Sequence, residues 1–260
     1  MRRAEPAAKS AGVTRTASLS FGAAGLAALV LAWEAGHRAF GPFVLPAPEE
    51  AAQRLVLLFA RGDALPALAS TAADALGGWC AGAALGAVAG IAGGLLPPLG
   101  AALRPVATVI LGVPAIAWVV LSLLWFGPMG LSAAFTVLVT VAPIVFAGAL
   151  SGVQARDPGL SEMARAFGAP PLLRFTALIV PQLFQPLVPA LATALAFAWK
   201  VAVMAEVLDG GEGIGGRIAA ARAHLDLAET MAWIVLAVAL LLACDTVLFA
   251  LVRRRFGPVA

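Results

Sequence analysis

Ser161–Gln182, SEMARAFGAPPLLRFTALIVPQ, is the one long polar-spiked segment in a chain that is otherwise almost continuously apolar. Its local signals predict two short helices joined by a turn. Asp157, just upstream, is placed to cap the first helix, and Pro158 suits a first turn where a missing N–H has no helical partner to lose. Leu160, Met163, Ala164 and Phe167 fall on one face at helical spacing, with Glu162 and Arg165 on the other. Gly168 stands where a helix ends in left-handed backbone, which glycine enters cheaply. Pro170 and Pro171 open the second helix, and Pro181 stops its hydrogen-bond ladder or kinks it. At ~1.5 Å per residue each helix is about 15 Å long, too short to cross a bilayer. The segment is therefore predicted to lie at a membrane face.

The surrounding chain supplies the membrane. Of its 260 residues, 62% are hydrophobic and only 12% charged, which is too apolar for an ordinary soluble domain. Its apolar runs predict six transmembrane helices: Leu19–Gly36, Ala69–Leu96, Val106–Trp125, Leu131–Leu150, Leu187–Leu208 and Thr230–Val252. The basic start, MRRAEPAAKSAGVTRTA, lacks a clear cleavage context and reads as the flank of an uncleaved first span. With both termini cytoplasmic, the inner segments carry Arg2, Arg3, Lys9, Arg15, Arg104, Arg156, Arg165, Arg174 and Arg253 to Arg255. The outer segments carry Arg38, Arg54, Arg61, Arg217 and Arg222, about half as many, which is the normal sense of the positive-inside rule. The polar segment around Glu162 then faces the cytoplasm.

Glu162-Met163-Ala164, then Gly168 after three residues and Leu178-Ile179-Val180-Pro181 after nine more, resembles the EAA loop of ABC importer permeases. Met163 departs from the middle alanine of that loop, and Leu178 and Val180 stand at its isoleucine and leucine positions. In that family the loop docks on a separate ATPase subunit, which implies a coupling role for Glu162, Met163, Ala164, Gly168 and Pro181. On the residues alone, an ordinary amphipathic interfacial hairpin is the alternative.

Three further stretches bear on the same resemblance. FVLPAPEEAAQRLVLLFARGD, residues 43–63, reads as an amphipathic helix on the outer surface, with Leu55, Val56 and Phe59 on its apolar side. It is similar to the segment that follows the first span in the nitrate/sulfonate/taurine branch. The third span carries Pro114, which should kink it, then Trp118 and the ending Leu124-Trp125-Phe126-Gly127, typical of that branch. Trp125 equally suits an interfacial anchor. Gly213-Ile214-Gly215, in a glycine-rich loop permitting irregular backbone, resembles the family's outer-gate segment. Separately, Gly78, Gly82, Gly86, Gly90 and Gly94 recur every four residues and form a ridge on which a second helix can pack closely. That contact is either static or one that slides during transport.

Catalysis finds no footing. His37 and His224 sit on separate outer loops, Cys80 and Cys244 lie in apolar runs as small core residues, and no metal-ligand pattern is present. No GxxxxGK[ST] loop occurs, so ATP and magnesium would have to be bound by a separate ATPase subunit. The basic residues form no nucleic-acid-binding stripe. Charges inside the spans need pairing or water. Glu34 and Glu206, near outer helix ends, can reach water, and Asp245 lies toward the inner end of the sixth span. Lys200 is the deepest charge, about 10 Å below the outer surface by helix rise, with Asp74 at similar depth. Lys200 either pairs with Asp74, reaches outward along its own stem, or faces a translocation path.

The expected fold is all-α and integral to the membrane, with six spans in the type I ABC importer, MetI-like arrangement that the resemblance implies. The expected organisation is an N-terminal cytoplasmic tail (1–18), a first span (19–42) and a periplasmic amphipathic segment (43–68). A five-helix core follows (69–252), holding a coupling loop (151–186), and then a cytoplasmic tail (253–260). The resemblance implies a permease subunit of the bacterial inner membrane and no enzyme. Its partners would be a second permease chain, two ATPase subunits and a periplasmic binding protein. The solute would be small and anionic, like a sulfonate, taurine or nitrate. Lys200, Glu206, Pro114, Trp118, Gly213 and Gly215 are the candidates for pathway or gate. An ion-coupled secondary transporter is the rival class, and a different solute, such as a pyrimidine precursor, the rival within the same class.

Overall fold

A computed structural model describes residues 15–127 and 131–256, and among them every regular element is a helix. In order these are α1 (Arg15–Phe40), α2 (Pro48–Ala60), α3 (Ala64–Leu95), α4 (Pro97–Gly112), α5 (Ala115–Phe126) and α6 (Ser132–Gln154). Then come α7 (Pro158–Ala166), α8 (Pro171–Arg174), a π-helical turn (Phe175–Ile179), α9 (Val180–Asp209), α10 (Ile214–Ala223) and α11 (Leu227–Phe256). Helices α3, α6, the continuous run Pro171–Asp209 and Leu227–Cys244 of α11 are each long and apolar enough to cross a membrane. The pair α4 and α5 adds a fifth, broken span. The first predicted span falls on α1, whose Leu26, Leu29 and Leu31 stay exposed. The predicted tails, 1–18 and 253–260, lie largely outside the described residues, as does the side chain of Asp245.

Helix α6 is the centre of the bundle, with α3 on one side and α9 on the other. The α3 face is made by the glycine ridge. A Cβ added at Gly82 would lie 2.7 Å from the Leu138 carbonyl oxygen, and one at Gly90 would lie 2.7 Å from the Ala149 Cβ. Gly78, Gly86 and Gly94 meet Ala134, Ala142 and Val153 just as closely. No hydrophobic force draws helices together in lipid, so backbone contact of this kind supplies the dispersion that does. Helix α6 repeats the device toward α9, where Gly148 rests on Ala190 and Gly152 on Leu183. Two of its buried hydroxyls are satisfied within the helix, Thr136 Oγ1 donating to the Ser132 carbonyl at 2.8 Å and Thr140 Oγ1 to that of Thr136 at 2.9 Å.

Three local expectations are corrected. The third predicted span, Val106–Trp125, is two helices bent by 93° rather than one kinked helix. The break falls at Val113-Pro114, where Pro114 takes extended backbone (ψ 136°) and starts α5. A residue before proline is pushed out of helical backbone, and Val113 follows that rule with ψ 126°. The second short helix of the opening segment does not end at Pro181. It runs through the π-helical turn into α9, and the turn sits just ahead of Pro181, where the ladder must shift because proline has no N–H to donate. In α2 the side packed on the protein is Ala51 and Leu58, with Leu55 half-buried, whereas Val56 and Phe59 face outward. Arg54 of α2 pairs with Asp226 at 3.2 Å, fixing α2 against the turn that precedes α11.

Candidate functional site

The segment from Asp157 to Gln182 forms a projection at one end of the bundle. Asp157 caps α7 as its position suggests, its Oδ1 accepting from the Gly159 N–H at 2.8 Å. The Asp157 N–H donates in turn to Gln182 Oε1 at 2.9 Å, so the first and last residues of the excursion are tied together. Gly168 has φ +72°, the left-handed turn that lets the chain reverse between α7 and α8, and a side chain there would meet open space. The turn is closed by the Gly168 N–H on the Arg165 carbonyl and the Ala169 N–H on that of Ala164, both at 2.9 Å.

The orientation of α7 is informative. None of its residues is buried. Its apolar side, Leu160, Met163 and Phe167, points away from the rest of the chain, with Phe167 84% and Met163 52% exposed. Leu172 and Leu173 extend this surface into α8, and Glu162 is exposed beside it. Ala164 is half-buried.

At the opposite end, Glu206 is 1% exposed, so the expectation that it reaches water is wrong. Its Oε2 accepts from Thr71 Oγ1 of α3 at 2.9 Å and from the Gly215 N–H at 2.8 Å. Thr71 Oγ1 itself accepts from the Ile214 N–H at 2.9 Å. Two side chains from other helices thus occupy the free N–H groups at the start of α10, the task a local cap usually performs. The glycines make this possible. Gly213 lies directly against the Glu206 carboxyl, and a Cβ at Gly215 would fall 2.6 Å from the Glu206 Cβ. Only Gly210–Gly213 is irregular, and Gly215 and Gly216 lie within a regular helix. Asp209 adds a second tie, accepting from Ser132 Oγ of α6 at 2.6 Å and from the Gly211 N–H at 2.8 Å.

The profile of the family described as "Binding-protein-dependent transport system inner membrane component" matches residues 82–258. The chain belongs to that family. The ABC permease is 25% identical over 249 residues to the taurine transport system permease protein TauC of Escherichia coli (strain K12), covering 93% of this chain and 90% of that one. It is 32% identical over 136 residues to the nitrate import permease protein NrtB of Leptolyngbya laminosa, spanning 50% of this chain and 48% of the relative. The putative aliphatic sulfonates transport permease protein SsuC of Escherichia coli (strain K12) is 29% identical over 103 residues, 40% of this chain and 39% of the relative. Among solved structures, an amino acid ABC transporter with histidines superposes with a TM-score of 0.61 at 20% identity, over 77% of this chain and 97% of that one. That likeness shows the fold, the MetI-like helical arrangement.

The remaining candidates of the permease scatter. Pro114 marks the break between α4 and α5, and Trp118 follows one turn later, half-buried with its indole N–H unpartnered. Neither touches the Glu206 cluster through a hydrogen bond. Lys200 is exposed on α9 and forms no ion pair with the half-buried Asp74, which sets aside the paired reading. Glu34 pairs with Arg38 one turn on at 2.7 Å. Thr71, Ser132, Asp209 and Gln182 were not singled out from the sequence. Thr71 and Glu206 are far apart along the chain, and nothing local marks either as the partner of the other. Gln182 had a signal, since a lone polar side chain following Pro181 at the end of an excursion is placed to bond back to its start.

Proposed function

We propose that this permease is the membrane-spanning subunit of an ATP-driven importer that carries a small anionic solute, of the sulfonate, taurine or nitrate kind, into the cytoplasm. It works as one of a pair of identical chains, with two ATPase subunits at the α7 end and a periplasmic binding protein at the α10 end. Both termini are cytoplasmic. ATP binding draws the ATPases together, and α7 with the Gly168 turn passes the movement to the spans, alternating access to the translocation path.

The observation that carries this reading is the outward face of α7. An amphipathic helix usually buries its apolar side on its own protein, and this one presents Leu160, Met163 and Phe167 to whatever lies beyond. Its base is tied through Asp157 and Gln182 to α9, so a push on α7 reaches a long apolar helix directly. The names of the relatives support the solute class. The test is reconstitution with ATPase and binding protein in proteoliposomes, where solute should accelerate ATP hydrolysis and accumulate inside only when ATP is present. Accumulation by the chain alone, driven by an ion gradient, would favour a secondary transporter.

A further inference from the structure

A cavity of about 290 Å³ opens between α9, α10 and α11, lined by Trp199, Lys200, Val203, Ile218, Ile234 and Val238 among others. Its walls are almost wholly apolar, and among the described residues Lys200 is the one charged side chain in them. Two residues of these walls carry hydrogen-bond donors that find no acceptor among the described residues. The Lys200 ammonium has no carboxylate in ion-pair range, and Trp199, only 6% exposed, has an unpartnered indole N–H. A cation within a membrane span is costly unless an anion or water meets it, and a buried N–H left without an acceptor adds to the cost. No acceptor side chain lines the cavity to answer either donor.

We propose that this cavity is a binding site for a small organic anion, its acidic head on the Lys200 ammonium and its apolar body against Ile234 and Val238 of α11. The volume sits at the lower end of small-molecule sites, roughly 300–1,000 Å³, which suits a short solute and not the body of a diacyl lipid. The anion brings acceptors, matching the single ammonium that these apolar walls offer. The assignment rests on the reading of the chain as an anion importer and adds the place where the anion is held within the membrane.

The test uses the full chain in nanodiscs of phosphatidylcholine, with pentane-1-sulfonate as the probe and pentan-1-ol as its uncharged control. Tryptophan emission should change saturably and the melting temperature rise with the sulfonate but not with the alcohol. Lys200→Met should weaken the sulfonate by about tenfold or more, the scale of one charge-assisted hydrogen bond, while Lys200→Arg keeps affinity within a few-fold. Equal affinity in Lys200→Met would overturn the site. Displacement of the sulfonate by added phosphatidylglycerol would give the cavity to a lipid headgroup and overturn the assignment to a solute. The assembled complex separates the two readings. Absent sulfonate binding with solute-stimulated ATP hydrolysis intact removes this site alone, and loss of both removes the importer reading with it.

Discussion

Thr71 Oγ1 donates to Glu206 Oε2 at 2.9 Å and accepts from the Ile214 N–H at the same distance, so one hydroxyl joins α3, α9 and the start of α10. All of these groups are buried, and breaking the relay leaves unpaired polar groups where water cannot replace the partner. Thr71→Val keeps the shape and removes both bonds, which should cost about 1–3 kcal/mol. Glu206→Ala should cost at least as much, because it also empties space beside Gly213. Glu206→Gln, which keeps an acceptor for the Gly215 N–H, should be the mildest. Thermal unfolding of the purified chain in detergent orders the three. Thr71→Val with an unchanged melting temperature would mean that α10 does not depend on this cap.

The glycine ridge gives a paired test on one helix. Gly86 faces the Ala142 carbonyl, while Gly77 faces nothing within 4 Å. Alanine gains roughly 1 kcal/mol of helix propensity over glycine at either site. Gly77→Ala should therefore be neutral or mildly stabilising, and Gly86→Ala destabilising because α6 must move away from α3. Melting temperatures that rise equally for both would show that the two helices do not pack through this ridge.

Much of this architecture is legible in the sequence because it is local. The cap at Asp157, the left-handed Gly168 and the apolar spacing along α7 each follow from a few neighbouring residues, whereas the exposure of that apolar side does not. The five-glycine ridge announces a close helix contact, although not that α6 is the partner. The bend at Val113-Pro114 was underestimated, since a proline in an apolar run fits a kink and a break equally well. The burial of Glu206 is not legible for a different reason. Its place near a helix end suggested water, but Thr71 and the Gly213–Gly215 backbone close over it, and those contacts are set by tertiary packing. The run from α8 into α9 was hidden because a π-helical turn, invisible in residue pattern, absorbs the cost of Pro181.

The proposed orientation rests on the arginine distribution and is open to direct labelling. In a cysteine-free background, a cysteine at exposed Arg165 should react with an impermeant maleimide only in inverted vesicles. Cysteines at Arg61 and Arg217, both exposed and at the other end, should react in intact cells after outer-membrane permeabilisation. Labelling of position 165 from outside would place α7 in the compartment that holds no ATP.

In the proposed function the α7–Gly168 projection couples this permease to a separate ATPase, and substitutions at Gly168 address that coupling without disturbing the spans. A side chain there meets open space, so the only penalty is the left-handed backbone, about 1–2 kcal/mol for a β-branched residue and little for asparagine. The measurement is solute-stimulated ATP hydrolysis by the complex reconstituted with its ATPase and binding protein, taken beside the melting temperature of the permease alone. Gly168→Val should leave that melting temperature within a few degrees and abolish most of the stimulated hydrolysis, with Gly168→Asn retaining it. A Gly168→Val complex that assembles and hydrolyses ATP in response to solute as the unaltered chain does would contradict the account.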